Sequence, residues 1–246
     1  MFKYYCKRLN SCIFEKEIEN MAKQKTTAKV KSTSEKMSAD GIISLYMDYV
    51  LENEKEPKTI YKFSKDNGIT EDEFYQHFGS FEGLKKDIWK RFFANSVGLL
   101  QRSPEFESFT TREKLLTFFY TFFENLTANR SYVLFILSRE PEVTKNLEQL
   151  KGLRRQVIGF SKDLIRENNE EKSAKFLKQS ETVFSEATWI QFLFLLKFWM
   201  DDNSARFEST DVAIEKSVNT VFDLFDNTPL ERVVDFGKFL WKEKMG

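Results

Sequence analysis

The 246-residue sequence predicts an all-α fold. Four prolines and nine glycines leave few turn signals, 31% of the residues are charged, and 26 phenylalanines recur at helical rather than alternating spacing. That pattern suits long amphipathic helices around an aromatic interior, and 41% hydrophobic residues suffice to build one. No run alternates apolar and polar residues as a half-buried strand does.

Taken in order, residues 1–20 mix charges and apolar side chains too closely for an export signal, and Met21 opens a second plausible start. Between Met21 and Met37, Lys23, Lys25, Lys29, Lys31 and Lys36 outnumber Glu35, with no large apolar cluster. Residues 1–37 therefore read as an extension and a basic, disordered arm. Helices are expected near 38–53, 58–67, 70–77, 80–101, 110–127, 130–139, 142–168, 171–201, 210–226 and 229–244. The first carries Ile43, Tyr46, Met47, Val50 and Leu51 on one stripe. Pro57, Pro104, Pro141 and Pro229 each precede a helical pattern, where a fixed φ helps a helix to start. Thr70 with Glu73, Thr110 with Glu113 and Thr228 with Glu231 have capping-box spacing.

The inventory narrows the chemistry. Lys plus Arg and Asp plus Glu both number 38, so the chain has no overall cationic coat for nucleic acid or anionic membrane. Cys6 and Cys12 both lie in the first dozen residues and His77 is the single histidine, which leaves no disulfide framework and no zinc ligand set in the main body. A reduced, cytoplasmic protein is expected. No phosphate-binding glycine loop and no nucleophile elbow occur, so neither a catalytic residue nor a cofactor is assigned.

The most specific pattern runs from Ile42 to Trp89, where a helix of ordinary length precedes two short ones and a long one. Thr59 to Asp66 forms an apolar-faced short segment, Gly68 sits where the chain must turn sharply, and Thr70 caps a second short segment through Phe78. Helix, tight glycine turn and helix make a helix-turn-helix. The run Phe74-Tyr75-Gln76-His77-Phe78-Gly79-Ser80, followed by Leu84, resembles the amino-terminal DNA-binding domain of TetR-type transcriptional regulators. That resemblance implies a division into a helix-turn-helix domain over 38–91 and a helical ligand-binding and dimerisation domain over 92–246. It also implies double-stranded operator DNA as partner, with Thr59, Lys62, Thr70, Tyr75, Gln76, His77 and Lys85 at the DNA face.

Two departures from the family pattern affect charge. Glu71, Asp72 and Glu73 occupy the positions that approach DNA in the family, and Phe81 stands where the family commonly has a phosphate-contacting lysine. From Ala39 to Arg91, eleven acidic residues face eight basic ones, a net charge of −3. Carboxylates in a first helical turn also stabilise the helix dipole, so the triplet has a structural reading beside the electrostatic one. A DNA reader would recover cationic surface from Lys58, Lys62, Lys65, Lys85, Lys86, Lys90, Arg91 and the basic arm.

After Gln101, aromatic side chains recur at helical spacing. Phe122, Phe135, Phe160, Trp189 and Phe192 are candidate contacts for a small apolar effector, with ordinary core packing as the alternative. Ala187–Met200 is almost continuously apolar, interrupted by Thr188, Gln191 and Lys197; its fourteen residues are too few for a membrane span. A helix apolar all round is expected to be buried on all sides. The resemblance implies that this helix and the next pair with their copies in a homodimer, with Phe194, Phe198, Val218, Phe222 and Phe225 at the interface.

Two functions compete on this reading. One is a TetR-like, ligand-responsive repressor; the other is a TetR-fold protein without DNA binding that takes a lipid-like ligand or a protein partner.

Overall fold

A computed structural model describes residues 37–139, 148–170 and 180–227. All regular structure among them is helical: α1 (Ala39–Asn53), α2 (Ile60–Asp66), α3 (Glu71–Tyr75), α4 (Phe81–Gln101), α5 (Thr111–Ala128), α6 (Arg130–Arg139), α7 (Lys151–Glu170), α8 (Glu181–Asp201) and α9 (Glu208–Asn227). The all-α fold expected from the sequence is the one found among the described residues. The basic arm, Pro141, Pro229 and the helix expected over 229–244 lie outside the described residues.

The helices start where their caps dictate. Ser38, Thr59, Thr70, Ser80 and Ser180 each accept a first-turn backbone N–H, removing one of the unsatisfied donors of a helix end. At Thr70 the box is complete, because Glu73 accepts from the Thr70 backbone at 2.8 Å. Thr110 and Glu113 make the same reciprocal pair ahead of α5.

The described residues fall into two compact units, one drawn from Met1–Ser103 and Thr121–Arg154, the other from Pro104–Tyr120 and Arg155–Gly246. In the first, α1 to α4 close around an aromatic cluster. Tyr46 stacks on Phe81 at 5.5 Å, while Phe63 and Phe74 meet Phe81 edge-on at 5.6 and 5.4 Å. These offset and edge contacts suit the ring quadrupoles. Phe81, the residue that stands in place of a lysine, is therefore a half-buried member of this cluster. Gly68, at φ 68°, makes the turn from α2 to α3 in a left-handed conformation that a side chain rarely adopts. Asn125 on α5 donates to Phe92 O and Ser96 Oγ of α4 at 3.1 and 3.4 Å, and Trp89 Nε1 donates to Gln149 Oε1 at 3.3 Å. The long fourth helix is thus tied at three polar points within its unit.

In the second unit α8 and α9 form an antiparallel hairpin. Phe184, near the start of α8, meets Phe222 and Phe225, near the end of α9, at 5.4 and 5.2 Å. Midway, Gln191 Nε2 donates to Ser217 Oγ at 2.9 Å. At the tip, the buried Asp202 carboxylate accepts from the backbone N–H groups of Ser204 and Thr210, both at 2.8 Å, and from the Thr210 hydroxyl at 2.6 Å. Burial alone would raise its pKa; the hydrogen bonds from Thr210 and Ser204 outweigh that and bring it down to about 2.

One expectation needs correction. The helix that is apolar all round is not buried on all sides: Phe184, Thr188, Trp189, Phe192, Leu195, Leu196 and Trp199 are buried, but Ile190, Phe194 and Phe198 are exposed, Ile190 to 66%. An apolar sequence specifies a dry environment without saying which chain supplies it. Among the described residues, no helix is long and apolar enough to cross a membrane.

Candidate functional site

The short α3 helix and the turn that follows it divide their side chains between core and solvent. Phe74 and Phe78 are buried, whereas Tyr75, Gln76 and His77 between them are exposed, Tyr75 to 52%. Tyr61 on α2 is likewise exposed, to 60%. The alternation follows from helical spacing: the i and i+4 aromatic residues plug the cluster and the three residues between them face outward.

The seven residues expected at a DNA face all lie on or beside α2, α3 and the start of α4, and six of them have local partners. Thr59 and Thr70 act as caps. Lys62 Nζ meets Asp66 Oδ1 at 2.8 Å, a hydrogen bond and charge pair that raise the ammonium pKa above its usual value. Gln76 Nε2 donates to Asp72 Oδ2 at 2.7 Å. His77 Nε2 lies 2.9 Å from the Met37 carbonyl, to which it donates as the Nε2–H tautomer. Lys85 Nζ is 3.1 Å from Glu56 Oε2. Tyr75 packs edge-on against Phe74 at 5.8 Å, with the rest of its ring in solvent.

Further cations along α4 are also matched. Arg91 pairs with Asp40 and with Asp87, Lys90 with Asp87 at 3.7 Å, and Lys86 with Glu148 at 3.1 Å. Lys58 and Lys65 are exposed and have no ion-pair partner among the described residues. The acidic triplet is divided. Glu73 is used by the cap, and hydrogen bonds from Thr70 hold its carboxyl below the usual carboxylate range, whereas Glu71 and Asp72 are exposed. The partners Glu56 and Asp40 were not legible as such in the sequence, because 29 and 51 residues separate them from Lys85 and Arg91. The i, i+4 spacing of Lys62 and Asp66 is the sequence signal that could have found their pair.

A second feature is an apolar groove of about 990 Å³ along the outer face of the α8–α9 hairpin. Ile190, Phe194 and Phe198 line it from α8, and Val212, Ala213, Lys216 and Val221 from α9. Of the five residues expected at a dimer interface, Phe194 and Phe198 lie here. Val218 and Phe222 instead turn inward and are buried, and Phe225 packs on Phe184. The groove side of α9 is a separate stripe, Ser209, Val212, Ala213 and Lys216 at helical spacing.

The residues expected at an effector site do not line this groove. Phe122 and Phe135 belong to the first unit, and Phe160, Trp189 and Phe192 to the second. Phe160 packs against Phe118 at 4.7 Å, and Trp189 stacks on Phe192 at 5.2 Å.

Residues 114–240, just over half of the chain, match the family described as Tetracyclin repressor-like, C-terminal domain. Among curated proteins none matches the chain. A crystal structure of a member of the TetR transcriptional regulator family from Streptomyces coelicolor A3 is similar at 18% identity and a TM-score of 0.37, over 79% of this chain and 92% of that one. With the match covering residues 114–240, and with all regular structure among the described residues helical, this protein belongs to the TetR-type, tetracyclin-repressor-like family of regulators.

Proposed function

We propose that the protein is a dimeric, ligand-responsive repressor of transcription that acts in the cytoplasm and reads operator DNA through α2 and α3. The observation that carries this reading is the exposed run Tyr75-Gln76-His77 at the end of a capped helix and the turn after it, anchored in the core by Phe74 and Phe78. A rigid mount with polar and aromatic tips outward is what groove contacts require. Lys58 and Lys65 offer phosphate contacts directly, and Lys85 offers one once it leaves Glu56. The open α8–α9 face supports a homodimer, because a second copy would cover Ile190, Phe194 and Phe198. An apolar effector would act by favouring a dimer geometry in which the two reading helices no longer match one turn of DNA.

A second reading, a TetR-fold protein that has given up DNA for a lipid-like ligand or a protein partner, draws on a different observation. Glu71 and Asp72 are exposed on the reading helix, and Lys62, Lys85 and Arg91 near it are held by carboxylates. Each carboxylate facing a phosphate opposes binding.

Fluorescence anisotropy of the purified full chain, with the duplex upstream of its own gene and an unrelated duplex as control, separates the two. Specific binding that weakens steeply with salt is the expected result. Absence of binding at low salt from a folded dimer would favour the second reading.

A further inference from the structure

The outer stripe of α9 carries one acid and one base. Glu208 and Lys216 both line the groove, both are exposed, and neither has an ion-pair partner among the described residues. Eight residues of helix separate them, a rise of about 12 Å. Their midpoint is Val212, an exposed apolar side chain on the same stripe, and the adjoining groove residues Ser209 and Ala213 are small enough for another helix to come close.

This arrangement is self-complementary. In a two-fold contact residue i meets residue j and j meets i, so an antiparallel crossing of α9 on its copy at Val212 brings each Glu208 to a Lys216. Both pairs then form together, and the apolar side chains between them are covered.

We propose that the two-fold axis passes beside Val212 and that reciprocal Glu208–Lys216 pairs set the register of the two hairpins, selecting a second copy of this chain as the occupant of the groove. The inference rests on the homodimer reading above and adds to it the position of the axis and the residues that choose the partner. Charges at the edge of an apolar seam act through the repulsion they create in wrong pairings as much as through their own attraction. A parallel crossing, or one displaced by a turn, leaves both groups unmatched or sets like charges together. Glu208 also sits in the first turn of α9, where a carboxylate favours the helix dipole. That role acts within one chain and predicts no rescue by a change at Lys216.

The test is a charge-reversal cycle on the full chain, with dimer dissociation constants from sedimentation equilibrium at low and high salt and helicity followed by circular dichroism. Glu208→Lys and Lys216→Glu should each weaken the dimer about tenfold or more at low salt, because symmetry doubles each effect. The double variant should return to within about threefold of the parent, and all differences should shrink at high salt. Lys216→Glu alters no helix end, so it remains informative if Glu208→Lys loses helicity. Single variants that dimerise like the parent, or a double variant that is not rescued, would overturn the inference while a dimeric parent leaves the homodimer reading intact. A parent chain that stays monomeric at micromolar concentration would remove both.

Discussion

Lys85 Nζ lies 3.1 Å from Glu56 Oε2, so a cation near the start of α4 is held by a carboxylate from the segment joining α1 to α2. Both side chains are partly buried, which screens the pair less than a surface pair would be. For Lys85 to contact a phosphate it must leave Glu56. Replacing Glu56 with Gln keeps the shape and removes the competing charge. Operator affinity is expected to rise about two- to fivefold at low salt, the scale of a partly exposed ion pair. The salt slope should steepen by about 0.9 for each lysine freed. Anisotropy titrations at several salt concentrations check this, and an unchanged slope would place Lys85 outside the DNA contact.

Placing a lysine at position 81, where Phe81 stands, should cost stability. The Phe81 ring packs against Tyr46, Phe63 and Phe74, and Phe81→Lys removes the member common to all three contacts. Because Phe81 is only half-buried, the expected loss is about 1–3 kcal/mol, below that of a fully buried Phe. Urea unfolding of parent and variant measures it.

Gly68 offers a clean test of backbone strain. Open space surrounds the position of an added Cβ, so Gly68→Ala meets no clash and its cost comes from the left-handed φ of 68° alone. About 1 kcal/mol of lost stability is expected, from a scale of roughly 1–2 kcal/mol for such a conformation. Thr70→Ala, which removes the cap one step later, should cost about 1 kcal/mol as well. A thermal melt that leaves either variant at the parent midpoint would mean that the turn relaxes around the change.

The hairpin tip makes stability depend on acid. Asp202 has a pKa of about 2 when folded against an ordinary 3.8, so its contribution is complete above pH 3.8 and is lost as pH falls towards 2. At about 1.4 kcal/mol for each unit, the full contribution is about 2 kcal/mol. Asp202→Asn should lower stability at neutral pH and flatten the acid limb between about pH 4 and pH 2. Chemical denaturation across that range reads both effects.

The groove predicts the outcome of a surface substitution. Phe194 is 54% exposed in the single chain, so Phe194→Asp leaves the inner face of α8 untouched. A carboxylate there would be desolvated by a second copy, and the variant is expected to be a folded monomer. Sedimentation velocity beside circular dichroism decides it: a variant dimer with parental helicity would move the interface elsewhere.

Local signals on the chain determined the helices and the helix-turn-helix. Thr59, Thr70, Ser80 and Thr110 act on backbone donors within three residues, Gly68 acts on its own φ, and Lys62 and Asp66 share one helical face, so each was legible from neighbours alone. Tertiary structure alone decided what each exposed or charged side chain meets. It gave Phe81 to the aromatic cluster, paired Lys85 with Glu56 and Arg91 with Asp40, and divided the uniformly apolar α8 into an inner face and an open one. The physical reason is range. Capping and helical periodicity are set within a few residues, whereas burial and ion pairing depend on which distant segments the fold brings together, and hydrophobicity carries no direction to say which surface will cover it.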